Sequence, residues 1–204
     1  MNFLAHIYLS GNDDEITIGN FIADGIRGKR YRNYPIGIQK GILLHRQIDT
    51  FTDAHPTVRQ STKRLHANYS HYSGVIVDIL YDHFLAKNWL DYSDIPLKVY
   101  TERVYDMLTE NFEILPNRTQ KMLPHMISGN WLLSYAKIEG IQKVLDGMNR
   151  RTKNISGMNK ATTELKHYYD EFELEFKSFF EELQLFSKQA LLDIEQDYKI
   201  NETE

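Results

Sequence analysis

Cysteine is absent from all 204 residues. That excludes disulfides and thiolate metal sites, so any metal has to be held by histidine, carboxylate or main-chain oxygen. Long apolar runs are missing too, since no stretch approaches the roughly 20 residues that span a bilayer. The opening Met1-Asn2-Phe3-Leu4-Ala5-His6-Ile7-Tyr8 has neither the cationic lead nor the sustained apolar core of a secretory signal. A cytoplasmic protein without membrane contact is the expectation. Nor is there an excess of basic charge. Lys and Arg number 24 against 28 Asp and Glu, a formal net charge of -4, which argues against nucleic acid as a partner and makes any basic surface a local one. β-strand signals are sparse, and there is no repeat, low-complexity tract or extended linker. The expected class is all-α, a single-domain multi-helix bundle over residues 1–204, with 42% hydrophobic content to fill its core.

Four of the five prolines punctuate the pattern. Pro35, Pro56, Pro96 and Pro116 each stand where a helix is expected to start. Before Pro35, residues 15–28 carry Ile16, Ile18, Phe21, Ile22 and Ile26 in helical spacing, with Asn20 and Asp24 on one side. A basic turn follows, with Arg27, Lys29, Arg30 and Arg32. Residues 75–91 form a strongly apolar helix enclosing Asp78, Asp82 and His83. From Lys160 to Tyr198 there is neither glycine nor proline, and Leu165, Phe172, Phe176, Phe179, Leu183, Ala190 and Ile194 recur at helical spacing, so a long amphipathic helix over about 160–198 is expected.

The helix after Pro35 places His45 and Asp49 at i and i+4, on one face. A single pair of this kind is more often a surface pair or a cap than a ligand pair. Here it has company, because His6, Asp24, Asp53, His55, Asp78, Asp82 and His83 also fall within the first 83 residues, among apolar helices. Buried carboxylates are costly unless a cation or hydrogen bonds compensate, and a divalent metal would compensate several at once. Mixed histidine and aspartate ligation suits Mn, Fe, Zn or Mg.

Several segments then stand in a recognisable order: Met1-Asn2-Phe3-Leu4-Ala5-His6, Gly19-Asn20-Phe21-Ile22-Ala23-Asp24 with Arg27-Gly28, Gly41-Ile42 with His45-Arg46 and Ile48-Asp49, Thr52-Asp53, and Asp78 with Tyr81-Asp82-His83-Phe84-Leu85. Together with Trp131-Leu132, Tyr135 and residues 144–148, they resemble acyl carrier protein phosphodiesterases, a non-canonical branch of the HD-domain phosphohydrolases. The resemblance implies an HD-domain-like helical hydrolase that removes the 4'-phosphopantetheine arm from holo acyl carrier protein. It implies Mn2+ as the cofactor, with Mg2+ or Fe2+ as substitutes. The adjacent acid and histidine here, Asp82-His83, stand in the reverse of the usual HD order.

On this reading Asp24, His45, Asp49 and Asp82 are the expected metal ligands. His6, Asp53, Asp78 and His83 are the expected orienting or acid–base groups. Asp53 has an alternative role as the cap before Pro56, and His55 is expected to be a mere turn residue. The cations Arg27, Lys29, Arg30 and Arg32 begin three residues after Asp24 and are either a solvated charged loop or a patch that would dock an acidic carrier protein, with Arg150, Arg151 and Lys153 as an extension of it or as the cationic end of a helix. Two other functions fit the same residues: a hydrolase of a nucleotide or small phosphodiester, and a non-catalytic adaptor for an acidic protein.

Overall fold

The computed structural model describes residues 1–201. Among them the regular structure is helical, and eleven α-helices pack in one body around a continuous apolar core. The first three carry most of the residues of interest. They are α1 (Phe3–Leu9), α2 (Asp14–Ile22) and α3 (Ile36–Ala54). Asp13 starts α2 by accepting a hydrogen bond from the Ile16 backbone N–H, which satisfies one of the donors that a helix start leaves open.

α2 and α3 cross with their backbones in direct contact, and glycine is the reason. A Cβ on Gly19 would lie 2.1 Å from the Ile38 carbonyl oxygen, and one on Gly41 would lie 2.1 Å from that of Ile16. Both obstacles are main chain, so neither could swing aside. α2 is shorter than its periodicity predicts. It ends at Ile22, and Asp24 sits in a single 3-10 turn, Ala23–Gly25, rather than on the helix face. The basic segment is a second 3-10 stretch, Gly28–Asn33. Arg46 of α3 holds it down, donating from Nη2 to the carbonyls of Ile26 (3.0 Å) and Gly28 (2.9 Å), with its guanidinium over the Tyr31 ring.

α3 stops where Pro56 forces the preceding residue into an extended conformation. The cap of the next helix, α4 (Pro56–Tyr69), is His55, not Asp53. Its ring nitrogen accepts from the Thr57 N–H, and its other nitrogen meets Glu182 at 3.3 Å. His55 is therefore a buried cap and not the mere turn residue expected. α5 (Ser73–Lys87) runs through the centre, with Ile76, Leu80, Tyr81, Phe84 and Leu85 fully enclosed.

Beyond it come α6 (Leu97–Glu110), α7 (Asn117–Ser128), α8 (Trp131–Ser134), α9 (Ile138–Arg151), α10 (Thr162–His167) and α11 (Tyr169–Asn201). The expected helix over 160–198 is thus two helices, broken at Tyr168 (φ -115°, ψ 35°). Nothing local demands the break. Tertiary contacts override propensity there: Tyr69 and Asn68 of α4 bond Glu164 from one side, and the Arg64 guanidinium covers Tyr168 and Phe172 from the other. α11 buries Phe172, Phe176, Phe179, Phe180 and Leu183 against α3, α4 and α5, and so braces the helix that carries His45 and Asp49. No helix of the described residues is long and apolar enough to cross a membrane.

Candidate metal centre

Three side chains converge where α1 meets α3. His6 Nε2 lies 3.2 Å from Asp49 Oδ1, and His45 Nε2 lies 3.2 Å from Asp49 Oδ2, so one carboxylate spans two imidazoles. Those imidazoles are stacked, with centroids 3.9 Å apart and planes 19° from parallel. Among the described residues, this is the group of histidines and acids whose donor atoms lie close enough together to hold one metal ion. Asp24 adds a second carboxylate at the solvent edge, with Oδ1 3.4 Å from His45 Nε2. A small pocket lined by Phe3, His6, Asn20, Phe21, Asp24 and His45 opens beside the group.

Both histidines are also held from behind. His6 Nδ1 is 2.8 Å from the Asn20 side-chain oxygen, and His45 Nδ1 is 2.8 Å from the Asn20 carbonyl and 3.1 Å from that same side-chain oxygen. Asn20 is completely buried, a position made available by the close crossing at Gly19 and Gly41.

The electrostatics are asymmetric. Burial and the neighbouring positive charge of His45 push His6 down to about 4. Burial works against the His45 imidazolium as well, yet hydrogen bonding to Asp24 and Asp49 carries it up to about 9. Asp49 loses water through burial, but its two histidine contacts hold it well below the usual carboxylate range. Hydrogen bonding to His45 likewise lowers Asp24.

One atom tests whether these residues suit a cation. His6 Nε2 is buried and has no hydrogen-bond partner, although a carboxylate oxygen lies 3.2 Å away. An unprotonated imidazole nitrogen facing a carboxylate oxygen sets one lone pair against another, and a bound cation turns that repulsion into ligation. Two imidazole nitrogens with one or two carboxylates form a donor set suited to a divalent transition metal.

The other expected residues lie elsewhere. Asp82 does not join the cluster. It is completely buried, and its carboxylate accepts from the N–H groups of Leu4 (2.8 Å) and Ala5 (3.2 Å), which makes it the cap of α1 from a distant part of the chain. Burial raises Asp82 to about 7, despite those bonds. His83 points the opposite way, donating from Nδ1 to the Tyr135 carbonyl and accepting at Nε2 from the Tyr169 hydroxyl, both at 2.8 Å. Asp78 pairs with the Met1 ammonium at 2.9 Å. Asp53 is exposed, one turn beyond Asp49 on α3. Arg27, Lys29, Arg30 and Arg32 are exposed as expected. Sequence reasoning placed His6 as an accessory and gave Asn20 no role. The signal available was the segment Gly19-Asn20, where a polar residue follows a glycine in an otherwise apolar stretch.

The family model for acyl carrier protein phosphodiesterase matches residues 1–183, which takes in every residue of the cluster. The chain belongs to the acyl carrier protein phosphodiesterase family. Curated relatives carrying that name agree along nearly their full length. The protein from Pectobacterium atrosepticum is 30% identical over 189 residues, covering 92% of this chain and 98% of the relative. That from Enterobacter sp. strain 638 is 29% identical over 193 residues, covering 94% and 100%. That from Yersinia pestis is 31% identical over 181 residues, covering 88% and 94%. No solved structure matches this member of the family.

Proposed function

We propose that the chain is a metal-dependent phosphodiester hydrolase that releases 4'-phosphopantetheine from holo acyl carrier protein and leaves the apo carrier. The observation that carries this reading is the convergence of His6, His45 and Asp49 on one point, inside a segment matched from end to end by the phosphodiesterase family. The proposed ligands are His6 and His45 through Nε2 and Asp49 through its bridging carboxylate, with Asp24 completing the donor set from the solvent side. Mn2+ is the proposed ion, with Mg2+ or Fe2+ as substitutes. A bound divalent ion supplies an activated water at neutral pH and offsets charge on the phosphate oxygens.

The chain's own groups support one place for the ester. Asp24 is exposed, so the open side of the cluster faces solvent at the pocket beside Phe3 and Phe21. On that side Arg151, at the end of α9, feels both the Asp24 carboxylate and the guanidinium of Arg118 on α7. Cations gathered there would favour an anionic ester over bulk water. The basic 3-10 stretch, Gly28–Asn33, begins four residues beyond Asp24 and presents Lys29, Arg30 and Arg32, with Arg27 just ahead of it. These charges fit an acidic carrier protein whose prosthetic arm must reach the cluster.

Mass spectrometry of holo acyl carrier protein, after incubation with the purified protein and Mn2+, tests substrate and bond together. The carrier is expected to lose the mass of its prosthetic arm, and a chelator is expected to prevent that. An unchanged carrier mass at high enzyme concentration overturns the proposal. Turnover of a small phosphodiester with no action on the carrier overturns its substrate.

A further inference from the structure

Asn20 makes more contacts to the two proposed histidine ligands than either makes to a carboxylate, and backbone carbonyls fix the direction of every hydrogen bond it forms. A carbonyl oxygen only accepts. Asn20 Nδ2 lies 2.8 Å from the His6 carbonyl and 2.9 Å from Ser10 Oγ, so the amide nitrogen must be on that side and Oδ1 must face the rings. The Ser10 hydroxyl donates to the same His6 carbonyl at 2.8 Å, which leaves its oxygen free to accept from the amide. The orientation of the Asn20 side chain is thereby settled without reference to the imidazole rings.

The consequence runs outward to both rings. Oδ1 is an acceptor, so His6 Nδ1, at 2.8 Å, has to donate. His45 Nδ1 has to donate for two reasons, because it faces the Asn20 carbonyl at 2.8 Å as well as Oδ1 at 3.1 Å. With the hydrogen of each neutral ring on Nδ1, the remaining lone pair is on Nε2. Both Nε2 atoms face Asp49.

We infer that Asn20 is the positioning residue of this site, one buried amide that keeps a hydrogen on Nδ1 of both imidazoles, so that Nε2 is the atom each ring has to offer one cation. This rests on the proposed metal site, but it concerns the metal-free chain as well. A typical metal-binding histidine has its own orienting partner. Here one side chain serves two ligands from different helices. It also ties α1 to α2 and α3, so the tautomer and the separation of the rings are set together.

The test reads the rings directly. Two-bond nitrogen–proton NMR of the 15N-histidine-labelled, metal-free chain reports which ring nitrogen bears hydrogen. For the wild type, Nδ1 of both His6 and His45 is expected to be protonated, and a His6 with its hydrogen on Nε2 would overturn the inference. Calorimetric Mn2+ titration of Asn20→Leu should give affinity lower by roughly 10–100-fold, the usual cost of losing a ligand's orienting partner. Wild-type affinity in that folded variant would also overturn it. Ser10→Ala keeps the histidines and Asn20 while removing one anchor of the amide. Should Asn20→Leu not fold, Ser10→Ala is expected to keep the Nδ1–H form of His6, because the His6 carbonyl still orients the amide, and a His6 with its hydrogen on Nε2 in that variant would count against the inference. Failure of the wild type to bind Mn2+ would refute the metal site while leaving the tautomer result standing, so the two claims fail separately.

Discussion

The rings of His6 and His45 are stacked at 3.9 Å, close enough that protonating one opposes protonating the other. His45 takes the proton, because Asp24 and Asp49 both face it, and His6 is left neutral with a pKa near 4. The metal-free pair therefore holds one shared positive charge across the neutral range.

That charge has to leave when a cation binds through His45 Nε2. Metal affinity is expected to rise about tenfold for each pH unit across the neutral range, as the competing proton is removed, and to level off near pH 9, the His45 value. Calorimetry in buffers of different ionisation enthalpy should record the release of about one proton per ion bound. A binding enthalpy independent of buffer would rule the exchange out.

Asp49 is the acid that both histidines share, and its side chain is 43% exposed, so its removal should leave the fold standing. Asp49→Ala is expected to weaken Mn2+ binding and carrier hydrolysis by roughly 100-fold or more, given that even orienting partners of ligands are worth 10–100-fold. Circular dichroism should stay as in the wild type.

Asp82 presents the opposite combination. Asp82→Ala leaves the Leu4 and Ala5 N–H groups buried without acceptors, a loss of about 2–4 kcal/mol when the cap and the desolvated donors are counted together. Denaturant unfolding should show this. If Asp82→Ala instead lost metal affinity with unchanged stability, Asp82 would be a ligand after all.

The glycine crossing offers a test of packing. Gly41→Ala sets a methyl against main chain at 2.1 Å, so α2 and α3 must move apart, at a cost of about 1–3 kcal/mol or more. Because Asn20 and His45 lie on opposite sides of that crossing, Mn2+ affinity should fall along with the melting temperature. A melting temperature equal to that of the wild type would show that the helices can absorb the methyl.

The basic 3-10 stretch separates docking from chemistry. Arg30→Glu with Arg32→Glu is expected to raise KM for holo carrier by roughly tenfold or more, in a salt-dependent manner, while turnover of a small phosphodiester stays as before. An equal loss on both substrates would place these residues in the chemistry instead.

Much of this molecule was legible in its sequence. Proline positions marked the starts of α3 and α4, and apolar periodicity gave the helical class, because both are local physics. His45 and Asp49 were legible as a pair for the same reason, since i and i+4 spacing fixes a shared face. What was not legible depends on contacts between distant segments. Asp82 reads as a ligand beside His83, yet it turns to a helix start at the other end of the chain, and His83 turns to Tyr135 and Tyr169. His6 reads as an accessory because no local spacing ties it to Asp49. The break at Tyr168 has no local signal at all, only the pull of α4 on Glu164 and Tyr168.

The capping of α1 by Asp82 bears on when the site comes into being. Seven residues are too few for a helix to persist alone in water, and α1 has its first N–H groups satisfied by a side chain from α5. A chain that has emerged only as far as residue 55 already carries Asn20, Asp24, His45 and Asp49, but the Leu4 and Ala5 N–H groups that start α1 still lack their acceptor. That acceptor arrives when α5 docks. The start of α1, and with it the seat of His6, is therefore completed only once α5 has been made and docked, which puts the finished cluster late in the life of each new chain.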